Sequence, residues 1–258
     1  MHTNYHTHTF RCGHADNCAD EQYVLAALQR GFDLLGFSDH APWSSRAGDV
    51  GRTWYADYLN SVASLRQKYE GKIKIPLALE CECYPQNFSW LRDQREFLDY
   101  AILGVHAYKN SSYNDLFYGH TTKPDDVKRY GECAIEGMQS GLFEILAHPD
   151  LVLMDYAEFD GVCEDVCREI CRTAKECGVV LEYNLLGKIK KELDMSVGLG
   201  YPCEAFWKIA AEYQSTVIIG CDAHSPNQLL RADLSESAER ELAALGLTPI
   251  EYLKGASA

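Results

Sequence analysis

The 258-residue chain reads as one α/β domain, a barrel of parallel βα units, on three observations. Short apolar runs alternate with amphipathic stretches of helical period, the pattern of a parallel sheet flanked by helices. Gly31, Gly71, Gly141 and Gly178 stand just past helical stretches, in the position where a left-handed residue ends a helix. Seven of the nine histidines fall at the carboxyl ends of the apolar runs. That is the end of a parallel barrel where active sites gather.

Taken in order, Thr3–His6 is the first strand and Asp20–Arg30 the first helix. Leu34–Ser38 follows as a strand, Tyr55–Tyr69 as a helix and Ile73–Leu79 as the third strand. The segment Cys83–Asp99 is aromatic-rich, has no clear helical period and is left open. Tyr100–Val105 is the fourth strand, Lys123–Ser140 a helix, Phe143–Ala147 the fifth strand and Asp160–Cys177 a helix. Val179–Tyr183, the helix Cys203–Glu212 and the strand Thr216–Cys221 complete the series. Ala238–Leu245 forms a terminal helix capped by Ser237 or Ser235, and Gly255–Ala258 frays. Seven strands are one fewer than an ordinary barrel has, so either one is hidden or the barrel is distorted.

With 47% apolar residues and no Pro- or Ser-rich linker, the chain is expected to bury a single core across residues 1–258. No apolar run is long enough to span a membrane, and the polar start MHTNYHTH lacks the features of a signal peptide, so a cytoplasmic protein is expected. A formal charge of −14 disfavours nucleic acid as a partner, because backbone binding relies on clustered Lys and Arg. The eleven cysteines are scattered rather than spaced as a disulfide framework and read as reduced. Cys163, Cys167 and Cys171 recur every four residues and are expected as a buried helix stripe in preference to a metal site.

The functional signal is the set His6 and His8 in NYHTHT, His14 in RCGHAD, His40 in SDHA, Glu80 in LECE, His106 in GVHA, His148 in AHPD, and Asp222 with His224 in CDAH. Residues i and i+2 of a strand point to one side, so His6 and His8 form a pincer, as do Asp222 and His224. Asp39 and His40 are adjacent, so only one points inward unless the strand has ended. Burying this many imidazoles and carboxylates without partners costs a few kcal/mol each. Metal ions supply the partners. Mixed imidazole and carboxylate ligands suit zinc, iron or manganese, and nine ligands exceed the needs of one ion, so two to three divalent transition-metal ions are expected.

The order HTHT, SDHA, LECE, GVHA, AHPDL, EYN and GCDAHSP resembles the PHP (polymerase and histidinol phosphatase) superfamily, and CGHA and FSDHAPW are similar to its monofunctional histidinol-phosphatase branch. The likeness runs from His6 to about Leu230. It implies a distorted (β/α)7 TIM-like barrel and three metal positions. His6, His8, Glu80 and Asp222 would hold the first, Glu80 as a bridge with His106 and His148 the second, and His14, His40 and His224 the third. It also implies metal-assisted hydrolysis of a small phosphorylated metabolite, L-histidinol phosphate before a nucleotide or sugar phosphate. Asp39 and Glu82 are candidates to protonate the leaving group.

Similar enzymes carry an Arg after the sixth strand to hold the phosphate. Here the sequence reads EYNLLGKIKK, so Lys188, Lys190 or Lys191 must substitute, or Arg11 beside the metal loop takes the role. Trp43, Trp54 and Tyr84 are candidates for an aromatic wall around the substrate. Amidohydrolase barrels also begin with HxH, but His14, the Asp39–His40 pair and the DAH motif fit them poorly. A non-catalytic module would be expected to have lost ligands, and none is missing.

Overall fold

The computed structural model describes residues 1–42, 53–109 and 115–254. The expectations for Trp43 and for Gly255–Ala258 lie outside them. The strands are β1 (Thr3–Asn4), β2 (Leu34–Leu35), β3 (Glu80–Cys81), β4 (Ile102–Leu103), β5 (Ala107–Lys109), β6 (Asp115–Phe117), β7 (Ile145–Leu146), β8 (Val180–Asn184) and β9 (Val217–Gly220). β3, β4, β7, β8 and β9 pair in that order, all parallel, and β1 pairs in parallel with β2. Single bridges join the two groups: Leu34 to Lys74, Phe37 to Leu77 and His40 to Glu80 on one side, Thr7 to Ala223 on the other. The ring is thereby closed by seven parallel strands. The antiparallel hairpin β5–β6 stands apart from it.

Nine helices are described: α1 (Asp20–Arg30), α2 (Thr53–Lys68), α3 (Phe88–Gln94), α4 (Pro124–Gln139), α5 (Gly161–Cys177), α6 (Leu185–Glu192), α7 (Glu204–Glu212), α8 (Pro226–Leu229) and α9 (Ala232–Ala244). α5 starts where Asp160 accepts from Cys163 N and ends at Gly178, whose φ of 71° is left-handed. Its buried face carries Cys163, Cys167, Ile170, Cys171 and Ala174. Among the described residues no metal-ligating group includes these cysteines, which pack as small apolar side chains. Phe206 and Trp207 of α7 are also buried, and each contributes roughly 1.5–3 kcal/mol by leaving water.

Several boundaries differ from the sequence reading. The third strand forms its regular ladder at Glu80–Cys81, beyond the run Ile73–Leu79, which meets its neighbour only through single bridges. The open segment contains α3, preceded by a short 3-10 turn at Pro85–Asn87. The terminal helix starts at Ala232, so Ser235 and Ser237 lie inside it, where their hydroxyls donate to Ala232 O and Glu241. EYNLLGKIKK, to which the sequence reading assigned no helix, turns into α6, with Asn184 as its cap accepting from Gly187 N.

Candidate metal centre

Glu80 opens the β3 ladder, and every other candidate ligand sits past the carboxyl end of a barrel strand or on the loop beside it. His6 and His8 flank Thr7, whose neighbours tie β1 to the last strand through His8 N to Ala223 O at 2.8 Å and Ala223 N to His6 O at 3.1 Å. The two rings therefore face the barrel axis together, 5.0 Å apart. His14 follows a 3-10 turn, Phe10–Cys12. His148 and Asp222 have φ values of 32° and 48°, a conformation that non-glycine residues adopt only when their surroundings enforce it.

The nitrogens and oxygens converge in three groups around Glu80. Asp222 Oδ1 lies 3.4 Å from His6 Nε2 and 3.3 Å from His8 Nε2, while Glu80 Oε2 lies 3.5 and 3.4 Å from the same two atoms. Glu80 Oε1 turns the other way, 3.4 Å from His106 Nε2 and 3.1 Å from His148 Nε2. His14, His40 and His224 form the outermost group, with 2.9 Å between Nε2 of His14 and Nε2 of His224. One carboxylate thus faces two groups.

These separations test whether ions fit. Four nitrogen or oxygen ligands at about 2.0–2.1 Å from a tetrahedral ion stand roughly 3.3 Å from each other, and the gaps found here cluster around that figure. Among the described residues, buried Glu80 Oε2, His40 Nε2 and His148 Nδ1 have no hydrogen-bond partner, although Glu80 Oε2 lies 3.0 Å from His40 Nδ1. Opposed lone pairs at such distances suit cations better than shared protons.

The electrostatics agree. Burial disfavours charge on Glu80, but His106, His6 and His40 outweigh it and hold its carboxyl well below the usual range. Asp222 is likewise held low, by His6 and His8 against burial. In return His8 is raised to about 9 by Asp222 and Glu80 despite burial. The carboxylates demand positive charge, and in the ion-free protein protons on His6 and His8 provide it. Burial instead lowers His40 to about 4, leaving it neutral as a ligand must be.

Behind the ligands stands a second row of acceptors. Glu182 Oε1 is 2.8 Å from His6 Nδ1, and Glu82 Oε1 is 2.9 Å from His106 Nδ1. The carbonyl of Cys12 accepts from His14 Nδ1 and that of Asp222 from His224 Nδ1, both at 2.9 Å. Asp39 accepts from Thr9 N at 2.7 Å and from Thr9 Oγ1, with His8 Nδ1 3.8 Å away. The acceptors bonded to Nδ1 of His6, His106, His14 and His224 fix ring orientation and tautomer and present Nε2 to an ion, whereas His8 Nδ1 has no hydrogen-bond partner among the described residues. Asp39 and Glu82, expected as proton donors, instead face the backs of His8 and His106. Glu182 and Asn184 were missed as site residues. Their i, i+2 spacing on β8 was the available signal, and Asn184 Nδ2 donates to both Glu182 Oε2 and Asp222 Oδ2.

A cavity of about 250 Å³ opens over the outer two groups, lined by candidate ligands together with Phe117, Leu151, Leu186, Lys190 and Tyr201. Lys190 is the basic residue of α6 that reaches it. Lys188 turns outward to Glu241 at 2.6 Å, and Lys191 donates to Pro202 O. Arg11 is also elsewhere: its guanidinium is locked by Asp20 at 2.8 Å and by Asp57 at 2.6 Å. Trp54 packs against Tyr55 and Tyr58, and buried Tyr84 is not among the cavity-lining residues, so neither forms the expected wall. A larger groove of about 920 Å³, whose lining includes Tyr5, Leu34, Arg66 and Tyr100, carries none of the candidate ligands.

The family model for the PHP domain matches residues 4–185, well over half of the chain. The chain belongs to the PHP family. This PHP domain is 25% identical over 241 residues to a Deinococcus radiodurans protein named "Probable histidinol-phosphatase", covering 87% of this chain and 86% of that one. It is 31% identical over 133 residues to the histidinol-phosphatase of Bacillus subtilis, covering 46% of this chain and 49% of that protein. A Lactococcus lactis histidinol phosphate phosphatase, solved with zinc, L-histidinol and phosphate, superposes with a TM-score of 0.70 at 16% identity, over 96% of this PHP domain and 95% of that chain. That likeness fixes the distorted TIM-like barrel. Among the described residues no helix is long and apolar enough to cross a membrane.

Proposed function

We propose that this PHP domain, a single unit over residues 1–258, is a metal-dependent phosphomonoesterase that converts L-histidinol phosphate into L-histidinol and phosphate. The observation that carries the reading is the split of Glu80 between two ligand groups, Oε2 toward His6 and His8 and Oε1 toward His106 and His148. The substrate follows the relatives named histidinol-phosphatases and the neighbour bound to L-histidinol and phosphate.

His6, His8, Glu80 and Asp222 would hold one ion, Glu80, His106 and His148 a second, and His14, His40 and His224 a third, with zinc, iron or manganese suiting the donors. Bound ions of this kind make water acidic near neutral pH and neutralise phosphate oxygens. The chain's own residues do the rest. Glu82 and Glu182 orient ligand rings, and Asp39 stands behind His8. Lys190 presents its cation to the phosphate from the cavity wall. Phe117, Leu151 and Leu186 give the remaining substrate an apolar surface that excludes water. Eleven cysteines, each free, and an enzyme of amino-acid biosynthesis suit the reducing cytoplasm.

The test is phosphate release from histidinol phosphate and from a panel of nucleotide, sugar and aryl phosphates, with elemental analysis of protein purified without chelator. Histidinol phosphate is expected to be the best substrate, with two to three ions per chain. Fewer than one ion per chain sinks the metal scheme, and histidinol phosphate turned over no faster than an aryl phosphate sinks the substrate assignment.

A further inference from the structure

Once the candidate ligands are set aside, the described wall of the cavity consists of Phe117, Leu151, Leu186, Lys190 and Tyr201. Three of these offer only hydrocarbon. The polar groups left are the Lys190 ammonium and the Tyr201 hydroxyl, and they are joined: Lys190 Nζ donates to Tyr201 Oη at 3.0 Å.

Tyr201 is clamped on several sides. A Cβ on Gly187 of α6 would stand 2.4 Å from its ring and 2.5 Å from its carbonyl oxygen, so helix and residue touch where only glycine fits. One residue on from Lys190, Lys191 Nζ donates to Pro202 O at 2.6 Å. Asp150 Oδ2 accepts from Cys203 N, also at 2.6 Å. A phenol fixed this firmly in the wall, with a cation on its oxygen, is preorganised for a reaction.

Phosphomonoester cleavage needs such a group. An aliphatic alkoxide leaves poorly, and a proton delivered in the transition state accelerates its departure by about 10²–10⁴-fold. Asp39 is committed to Thr9, accepting from its N and Oγ1, and Glu82 to His106 Nδ1. We infer that Tyr201 is the proton donor to the leaving oxygen and that Lys190 stabilises the phenolate this leaves. The inference rests on the phosphatase reading above. In the step, the water oxygen bonds to phosphorus and the ester P–O bond breaks. Its electron pair stays on the substrate oxygen, which takes the proton of Tyr201 Oη. The attacking water gives one proton to solvent, and the phenolate regains one from solvent, so the sum is ester plus water to alcohol plus phosphate.

The test compares two esters in the Tyr201→Phe enzyme: histidinol phosphate, with an alkoxide leaving group, and 4-nitrophenyl phosphate, whose leaving group departs without a proton. The ratio of kcat on the aryl ester to kcat on the alkyl ester is expected to rise at least about 30-fold over wild type, with ion content per chain unchanged. Lys190→Met, which keeps the phenol, is expected to move the ratio in the same direction, and it carries the test if Tyr201→Phe does not fold. A Tyr201 that merely packs the wall would slow both esters in parallel. An unchanged ratio in an enzyme active on both esters therefore overturns the proton donor alone. A wild type that cleaves neither ester overturns the phosphatase reading and this inference with it.

Discussion

Gly104 stands against Glu80 so closely that a Cβ at position 104 would lie 2.4 Å from Glu80 Oε1 and 2.7 Å from His106 Cε1. The absence of a side chain on β4's exit is what lets the bridging carboxylate reach both ligand groups. Gly104→Ala is expected to displace Glu80, lower the ion content by at least one per chain, and cut phosphate release at least about 10-fold. Elemental analysis beside a thermal melt checks this. A variant with full ion content and full rate would show that Glu80 is not held by this contact.

Glu182 lies 2.8 Å behind His6 and also accepts from Asn184 Nδ2 at 2.9 Å. Glu182→Gln keeps the shape but removes the charge that supports the imidazole. Zinc affinity, measured by competition with a coloured chelator, is expected to weaken about 10–100-fold. Affinity within twofold of wild type would mean that His6 needs no such support.

Protons and ions compete for the same pocket. His8 is raised from 6.5 to about 9 in the ion-free fold, so its contribution to stability is full below pH 6.5 and fades as the pH climbs toward 9. Ions need the neutral ring and tighten over that same window. Melting temperatures of ion-free and ion-loaded protein should therefore diverge between pH 6.5 and 9. Glu80 and Asp222, held low, act at the other extreme: the stability they give is present above their ordinary range and goes only in strong acid. A gap that narrows as the pH rises would contradict this account.

Arg11 belongs to stability rather than to substrate. Asp20 is buried and takes two hydrogen bonds from Arg11 Nη1, at 3.0 and 2.8 Å. Arg11→Met leaves that carboxylate without its cation and is expected to cost about 3 kcal/mol in a urea titration. The KM for histidinol phosphate should stay within about twofold. A tenfold rise in KM with unchanged stability would return Arg11 to the substrate.

The ligand set was legible because strand period and strand ends are local properties: His6 and His8, or Asp222 and His224, announce a shared face by spacing alone. What lay beyond reading was direction after the strand stops. Asp39 and His40 are both used, Asp39 behind His8 and His40 beside Glu80, although the backbone there is still paired through the His40–Glu80 bridge. Arg11 is near the histidines in sequence yet points toward α1 and α2, where Asp20 and Asp57 wait. α6 was not assigned from the sequence, although it buries Leu185 and Gly187 and carries the three lysines offered for the phosphate. Tyr201 gave no signal, being placed by contacts from α6 and from Asp150 beside the next residues of the chain.

The barrel closes between its first and last strands through a single bridge, Thr7 to Ala223, and each of those residues is flanked by two candidate ligands. Ions held there would act as a clasp between the beginning and the end of the polypeptide, so that sealing the cylinder and arming it would be one event. A chain emptied of metal would first loosen along this seam, and amide exchange at His8 and Ala223 would report the catalytic state of the molecule.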